Sequence, residues 1–113
     1  MATVDYSTEG TVSGKLVVLW ETLTADDDGA VVVAQAARPL AGCIQFSGTF
    51  SAGTVTFQKS NDGVTWYSVY DLDGVEIAAV AAAIFEFSTA ALYLRVVADS
   101  SITDVDAKMV LRG

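Results

Sequence analysis

The sequence has 113 residues, 52% of them hydrophobic, and a mean hydropathy of +0.45, which excludes a disordered chain. By the surface scaling of folded proteins, a monomer of this size keeps roughly 5,900 Å² exposed out of about 17,000 Å² unfolded, enough for one core and one domain. Six Lys and Arg against 14 Asp and Glu give a net charge of −8, so no nucleic acid partner is expected.

The absent residue types narrow the chemistry. There is no His, so Ser-His-Asp and Cys-His triads and His-based zinc sites cannot be built. Cys43 is the only Cys. It forms no internal disulfide, needs no oxidising compartment, and has no basic neighbour to activate it, so it reads as a small hydrophobe. The nine Gly are spread singly and make no phosphate loop. The longest apolar stretch, residues 77–85, is too short to cross a bilayer as a helix, so no membrane partner is expected. The first ten residues (MATVDYSTEG) have neither a basic start nor an apolar run, and no signal peptide is expected. We expect a non-enzyme with no cofactor.

Val and Thr are abundant, and single Gly, Asp and Asn residues punctuate the apolar runs, a bias toward β-structure. Residues 1–13, small and polar apart from Val4, Tyr6 and Val12, read as an N-terminal arm before a domain over 14–113. Residues 15–21 (KLVVLWE) form the first strong strand, with Leu16, Val18 and Trp20 on one face and Val17 and Leu19 on the other. An acidic turn at 25–29 precedes a Val-rich strand at 30–35, and Arg38 and Pro39 mark a loop.

Residues 42–50 alternate, with Ile44, Phe46, Gly48 and Phe50 facing one way. Residues 54–59 alternate again, with Val55 and Phe57 inward, and the spacing reads as a hairpin. Ser60, Asn61, Asp62 and Gly63 are the strongest turn signal in the chain. The aromatic strand 65–70 (TWYSVY) follows, then a second turn at 71–74. The Ala-rich stretch 77–83 has no N-cap pattern and no polar face, and reads as a short strand or irregular segment leading into 84–87. Strands at 92–97 (LYLRVV) and 105–111 (VDAKMVL) complete about eight. The expected fold is all-β: a single-domain antiparallel β-sandwich, jelly-roll-like.

The order of strand, SNDGVTW, and a later YLRVV strand resembles discoidin-type jelly-roll domains. It resembles more closely a class of small tailed-bacteriophage structural proteins. The likeness spans roughly residues 54–97, with Trp66 expected to close the core behind the turn. Arg95 would lie on a strand whose Leu92, Leu94 and Val96 point inward. Those discoidin-type domains often close with a disulfide and bind through long loops, and this chain has neither. The phage resemblance implies a non-enzymatic virion protein assembled in bacterial cytoplasm. Its preferred role is a capsid decoration (cement) protein on the shell surface, with the major capsid protein and further copies of itself, as a homotrimer, for partners. The alternatives are a carbohydrate-binding module on a tail or outer head, and a minor neck or tail component.

Candidate sites follow from the residues. Asp26, Asp27 and Asp28, or Asp71 and Asp73 with Glu76, carry oxygen ligands for a hard cation, but lack the spacing of a calcium loop. They read as solvated turn carboxylates, and no metal site is assigned. Tyr67 and Tyr93 are the aromatics expected to face outward, as a stacking pair for a sugar. The run 77–85, through Ile77, Val80, Ile84 and Phe85, is expected to form an interface if exposed. Val4 and Tyr6, on an arm lying on a neighbouring subunit, would make a second assembly contact.

Overall fold

The computed structural model describes residues 2–9, 15–34 and 40–112, which form twelve strands and no helix. In chain order these are β1 (Thr3–Val4), β2 (Tyr6–Glu9), β3 (Lys15–Leu23), β4 (Asp28–Gly29), β5 (Val32–Val33) and β6 (Leu40–Thr49), then β7 (Val55–Ser60), β8 (Tyr67–Ser68), β9 (Ala78–Ala79), β10 (Ala83–Thr89), β11 (Tyr93–Ala98) and β12 (Asp104–Arg112). The front sheet runs β1-β4-β11-β7-β8, with β5 also on β11 and β9 also on β7. The back sheet runs β10-β6-β12-β3-β2. Two sheets packed face to face make the jelly-roll-like sandwich that the alternation implied.

Period-two alternation places the core. Val18 and Trp20 on β3, Ile44 and Phe46 on β6, and Val105, Ala107, Met109 and Leu111 on β12 are buried from the back sheet. Val55 and Phe57 on β7, with Leu94 and Val96 on β11, meet them from the front. Phe57 and Phe87 join the layers edge-to-face, their ring centroids 4.9 Å apart. Leu92, expected inward, is exposed just before β11.

Several local expectations are corrected. Residues 42–50 and 54–59 do not form a hairpin: β6 pairs with β10 and β12, whereas β7 pairs with β8, β9 and β11. A tight turn between them, closed by Gly53 N–H donating to the Phe50 carbonyl at 2.7 Å, carries the chain from one sheet to the other. Their apolar faces meet across the core instead of sharing one sheet, and alternation is the same in both cases.

The strand expected at 30–35 is the two-residue β5, residue 35 lying outside the described residues, as do Arg38 and Pro39. Asp28 and Gly29, expected in the acidic turn, form β4. The aromatic strand 65–70 contracts to β8, plus one bridge between Tyr70 and Glu76. The Ala-rich stretch splits into β9 in the front sheet and β10 in the back sheet.

The segment read as an arm for a neighbouring subunit lies on its own sandwich. Here β1 runs parallel to β4, the one parallel pair among the described strands, and β2 runs antiparallel to β3. Backbone bonds from Asp28 to Ala2 (2.9 Å) and from Ala30 to Val4 (2.8 Å) hold it. Residues 1 and 10–13 of that arm lie outside the described residues.

Gly48 is where β6 needs a glycine. Its φ of +123° is closed to most side chains, and a Cβ there would run into the Asp104 carbonyl on β12. Opposite it, β12 shifts register against β3 between Val105 and Ala107, the signature of a bulge.

Burial separates two kinds of substitution. Phe57→Ala is expected to lower unfolding free energy by about 3–5 kcal/mol, whereas Val80→Ala, at an exposed site, changes it by less than about 0.5 kcal/mol. Urea denaturation of both variants checks the contrast, and a similar loss in the two would refute this placement of the core.

Candidate functional site

Among the described residues, no group of three or more His, Cys, Asp or Glu is placed to hold a metal ion. The acidic runs serve the fold instead. Asp27 is buried, and its carboxylate accepts from the Thr24 N–H (2.8 Å), the Thr24 hydroxyl (2.7 Å) and the Ala2 N–H (3.2 Å). The Thr24 bonds outweigh burial and hold its carboxyl below the ordinary range. Asp71 accepts from the amides of Asp73 and Val75, each at 2.9 Å, and Glu76 takes the Ser68 hydroxyl.

On the outer face of the front sheet, Arg95 organises a cluster. Its guanidinium lies 4.2 Å from the centre of the Trp66 ring, its Nε donates to Gln58 at 2.9 Å, and Asp28 stands 3.9 Å away. Trp66, expected in the core, is instead half-buried on this face. The stacking is worth about 0.5–1 kcal/mol. The partly exposed ion pair adds at most about 1 kcal/mol.

At one end of the sandwich, a cleft of about 610 Å³ opens between the segment 59–67 and the segment 88–91. Its first wall is a pinned turn. Ser60 Oγ accepts from the amides of Asp62 (3.2 Å) and Gly63 (2.9 Å) and donates to Asp62 (2.9 Å). Asp62 Oδ1 also accepts from Val64 (2.9 Å) and Thr65 (2.8 Å). Those amides, Thr65 first, bring the Asp62 pKa from 3.8 to about 2.

Tyr67 lines this cleft and is 65% exposed. Tyr93 does not join it. Tyr67 shares the register of Lys59, and Tyr93 that of the next residue, Ser60, so the two rings project to opposite faces of the sheet. The structure separates the pair that the sequence put together.

An apolar surface lies beside β10, the edge strand of the back sheet. Tyr70, Leu72, Val75, Val80 and Ile84 are each more than half exposed. The 71–75 turn reaches this edge through Leu72 N–H, which donates to the Glu86 carbonyl at 3.1 Å. Of the interface candidates, Val80 and Ile84 are here. Phe85 is half-buried against Phe46, ring centroids 6.1 Å apart.

Ile77 is fully buried and is core, not interface. Val4 packs against the core, and Tyr6 sits edge-on to Trp20 at 6.2 Å. The β2 edge that carries Tyr6 is the far side of the sheet from β10, so Val4 and Tyr6 do not extend this surface. Tyr70, Leu72 and Val75 were missed. Their signal was three large apolar residues in the turn-rich segment YDLDGV, where polar residues are the norm.

No family model matches the chain, and no curated protein sequence matches it. Solved structures share its fold. YomS, an SPBc2 prophage-derived protein, superposes with a TM-score of 0.68 at 12% identity, over 93% of this chain and all of that one. A cupin domain from Bordetella pertussis gives 0.56 at 8% identity, over 99% and 96%. A protein of Bacillus endospore appendages, which form disulfide-linked pili, gives 0.51 at 14% identity, over 96% and 88%. At these identities the likeness is one of fold.

The turn at 60–65 carries its own pH signature. Because the folded Asp62 pKa lies below 3.8, its contribution is fully present above that value and is lost as pH falls through about 2. Carboxyl-carbon NMR is expected to place the Asp62 midpoint near 2, with faster amide exchange at Val64 and Thr65 below it. A midpoint near the ordinary value would show that these amides do not hold the carboxylate.

Proposed function

We propose that this chain is a non-enzymatic structural protein of a tailed-phage virion, and that it decorates the capsid. In this reading it self-associates as a trimer and docks on the outside of the shell, bridging major capsid subunits. The observation that carries it is the set of exposed apolar side chains around β10: Ile84 on the strand, Val80 just before it, and Leu72 and Val75 on the turn that bonds to its Glu86 carbonyl, with Tyr70 leading into that turn. Exposed large apolar side chains in this number on so small a domain suit a contact surface.

Three further features support the reading. The sequence signature resembles small phage structural proteins, and the fold is shared with a prophage-derived protein. The chain lacks His and has one Cys, which suits assembly in a reducing bacterial cytoplasm. The net charge of −8 keeps the outward face soluble and favours a basic patch on the shell. The mechanism is adhesive: a specific contact of about 1,200–2,000 Å² across neighbouring subunits resists their separation.

Light-scattering mass of the purified protein, alone and mixed with heads stripped of accessory proteins from a phage carrying its gene, tests the reading. A trimer that saturates heads at a fixed integer ratio is expected. Leu72→Asp and Ile84→Asp are each expected to weaken binding more than about tenfold, since each buries a charge in an apolar contact, while leaving the urea midpoint unchanged. A monomer that ignores the heads overturns it, as does full binding by both variants.

A further inference from the structure

We propose that the cleft at the end of the sandwich is a saccharide site. The exposed ring of Tyr67 stacks on a pyranose face there, while Lys59, Asn61, Thr65 and Ser88 offer hydrogen bonds to ring hydroxyls. The inference does not depend on shell docking. The cleft is built from 59–67 and 88–91, and the apolar surface from side chains between Tyr70 and Ile84.

Size and lining point to the ligand class. The volume, about 610 Å³, falls within the range of roughly 300–1,000 Å³ typical of small-molecule sites. The wall opposite the turn is open and small, ending in Ala90 and Ala91. Apart from these, Tyr67 is the only large apolar face among the described lining residues, and it is 65% exposed although its strand is fixed by pairing with β7. An aromatic ring held at the mouth of a hydroxyl-rich cleft offers an apolar body beside polar groups. That combination matches a sugar, with its C–H face and rim of hydroxyls.

Electrostatics weigh against the main competitor. Among the described residues of the lining Lys59 is the only cation, and Asp62 sits in the same cleft. The amides of Val64 and Thr65, which would otherwise cradle a phosphate, are already bonded to Asp62. A neutral saccharide therefore fits better than a phosphorylated ligand.

The site is also pre-organised. Five hydrogen bonds within 60–65 fix the turn, and Asn61 Oδ1 accepts from Leu92 N–H at 3.1 Å, tying the turn to the start of β11. Asn61 thereby keeps its amide N–H groups for a ligand. Little loop ordering remains to oppose binding.

The test is ¹H–¹⁵N NMR titration of the whole chain with cellobiose, maltotriose, lactose and chitobiose, each to about 10 mM, which spans weak single-site binding. At least one sugar is expected to give saturable shifts confined to the amides of 59–67 and 88–91. Tyr67→Ala is expected to weaken that binding at least about tenfold, and Tyr67→Phe by less than about threefold. The same spectra show whether each variant is folded. Absence of saturable shifts with all four sugars overturns the proposal, as do shifts centred elsewhere or unchanged affinity in folded Tyr67→Ala. Failure to bind phage heads leaves this result untouched, so the two readings fail separately.

Discussion

The indole of Trp20 rises from the back sheet, is fully buried, and donates its N–H to the Ala30 carbonyl at 3.0 Å. Gly29, the residue before that acceptor, lies so close that a Cβ there would stand 2.7 Å from the indole nitrogen and 2.7 Å from Val96. The largest core side chain thus fixes the spacing of the sheets and the path of β4 together. With β4 placed, β1 pairs along it, and Asp27 turns inward to hold Thr24 and the Ala2 amide. The chain start is bound by the same contact that closes the core. This closure is apolar packing with satisfied polar groups, since no buried side-chain nitrogen or oxygen among the described residues lacks a partner.

The topology follows from that packing. The chain passes between the sheets from β1 to β2, β3 to β4, β5 to β6, β6 to β7 and β9 to β10, and at both ends of β11. Crossings bring loops from distant parts of the sequence together. The cleft is one result: the 60–65 turn and the 88–91 crossing, unrelated in sequence, become its walls. The apolar surface is another, formed where the 71–75 turn meets the crossing that ends in β10.

Much of the fold was legible because burial and alternation coincide in the long strands. Ile44, Phe46, Val55 and Phe57 read inward and are buried. Pairing was not legible, because period two records which face is apolar and is silent on which strand lies alongside; hence the mistaken hairpin. Trp66 was misread for a different reason. Alternation continues through this segment, with Val69 buried and Tyr70 exposed, and Val69 N–H bonds the Phe57 carbonyl at 2.9 Å. The period was legible, but the larger aromatic was assigned to the inner face, which Val69 occupies. Ile77 shows the converse: an apolar run too uniform to assign a face was taken as interface, although Ile77 N–H bonds the Val69 carbonyl at 2.9 Å inside the front sheet. The cleft was legible only as a turn and one tyrosine, since its second wall comes from the other side of β10.

The way β10 is finished bears on how the apolar surface makes contact. An edge strand with free N–H and C=O groups invites another strand to add to it. Here the turn at 71–75 sits against that edge, and Leu72 N–H occupies the Glu86 carbonyl at mid-strand. That bond takes one mid-strand acceptor out of the exposed row. Side-chain packing of Leu72, Val80 and Ile84 is specific to shape, whereas strand addition is nearly indifferent to sequence and leads to open-ended aggregation. In the docking proposed above, the exposed Leu72, Val80 and Ile84 would supply that shape-specific packing, the kind of contact a closed symmetric oligomer requires.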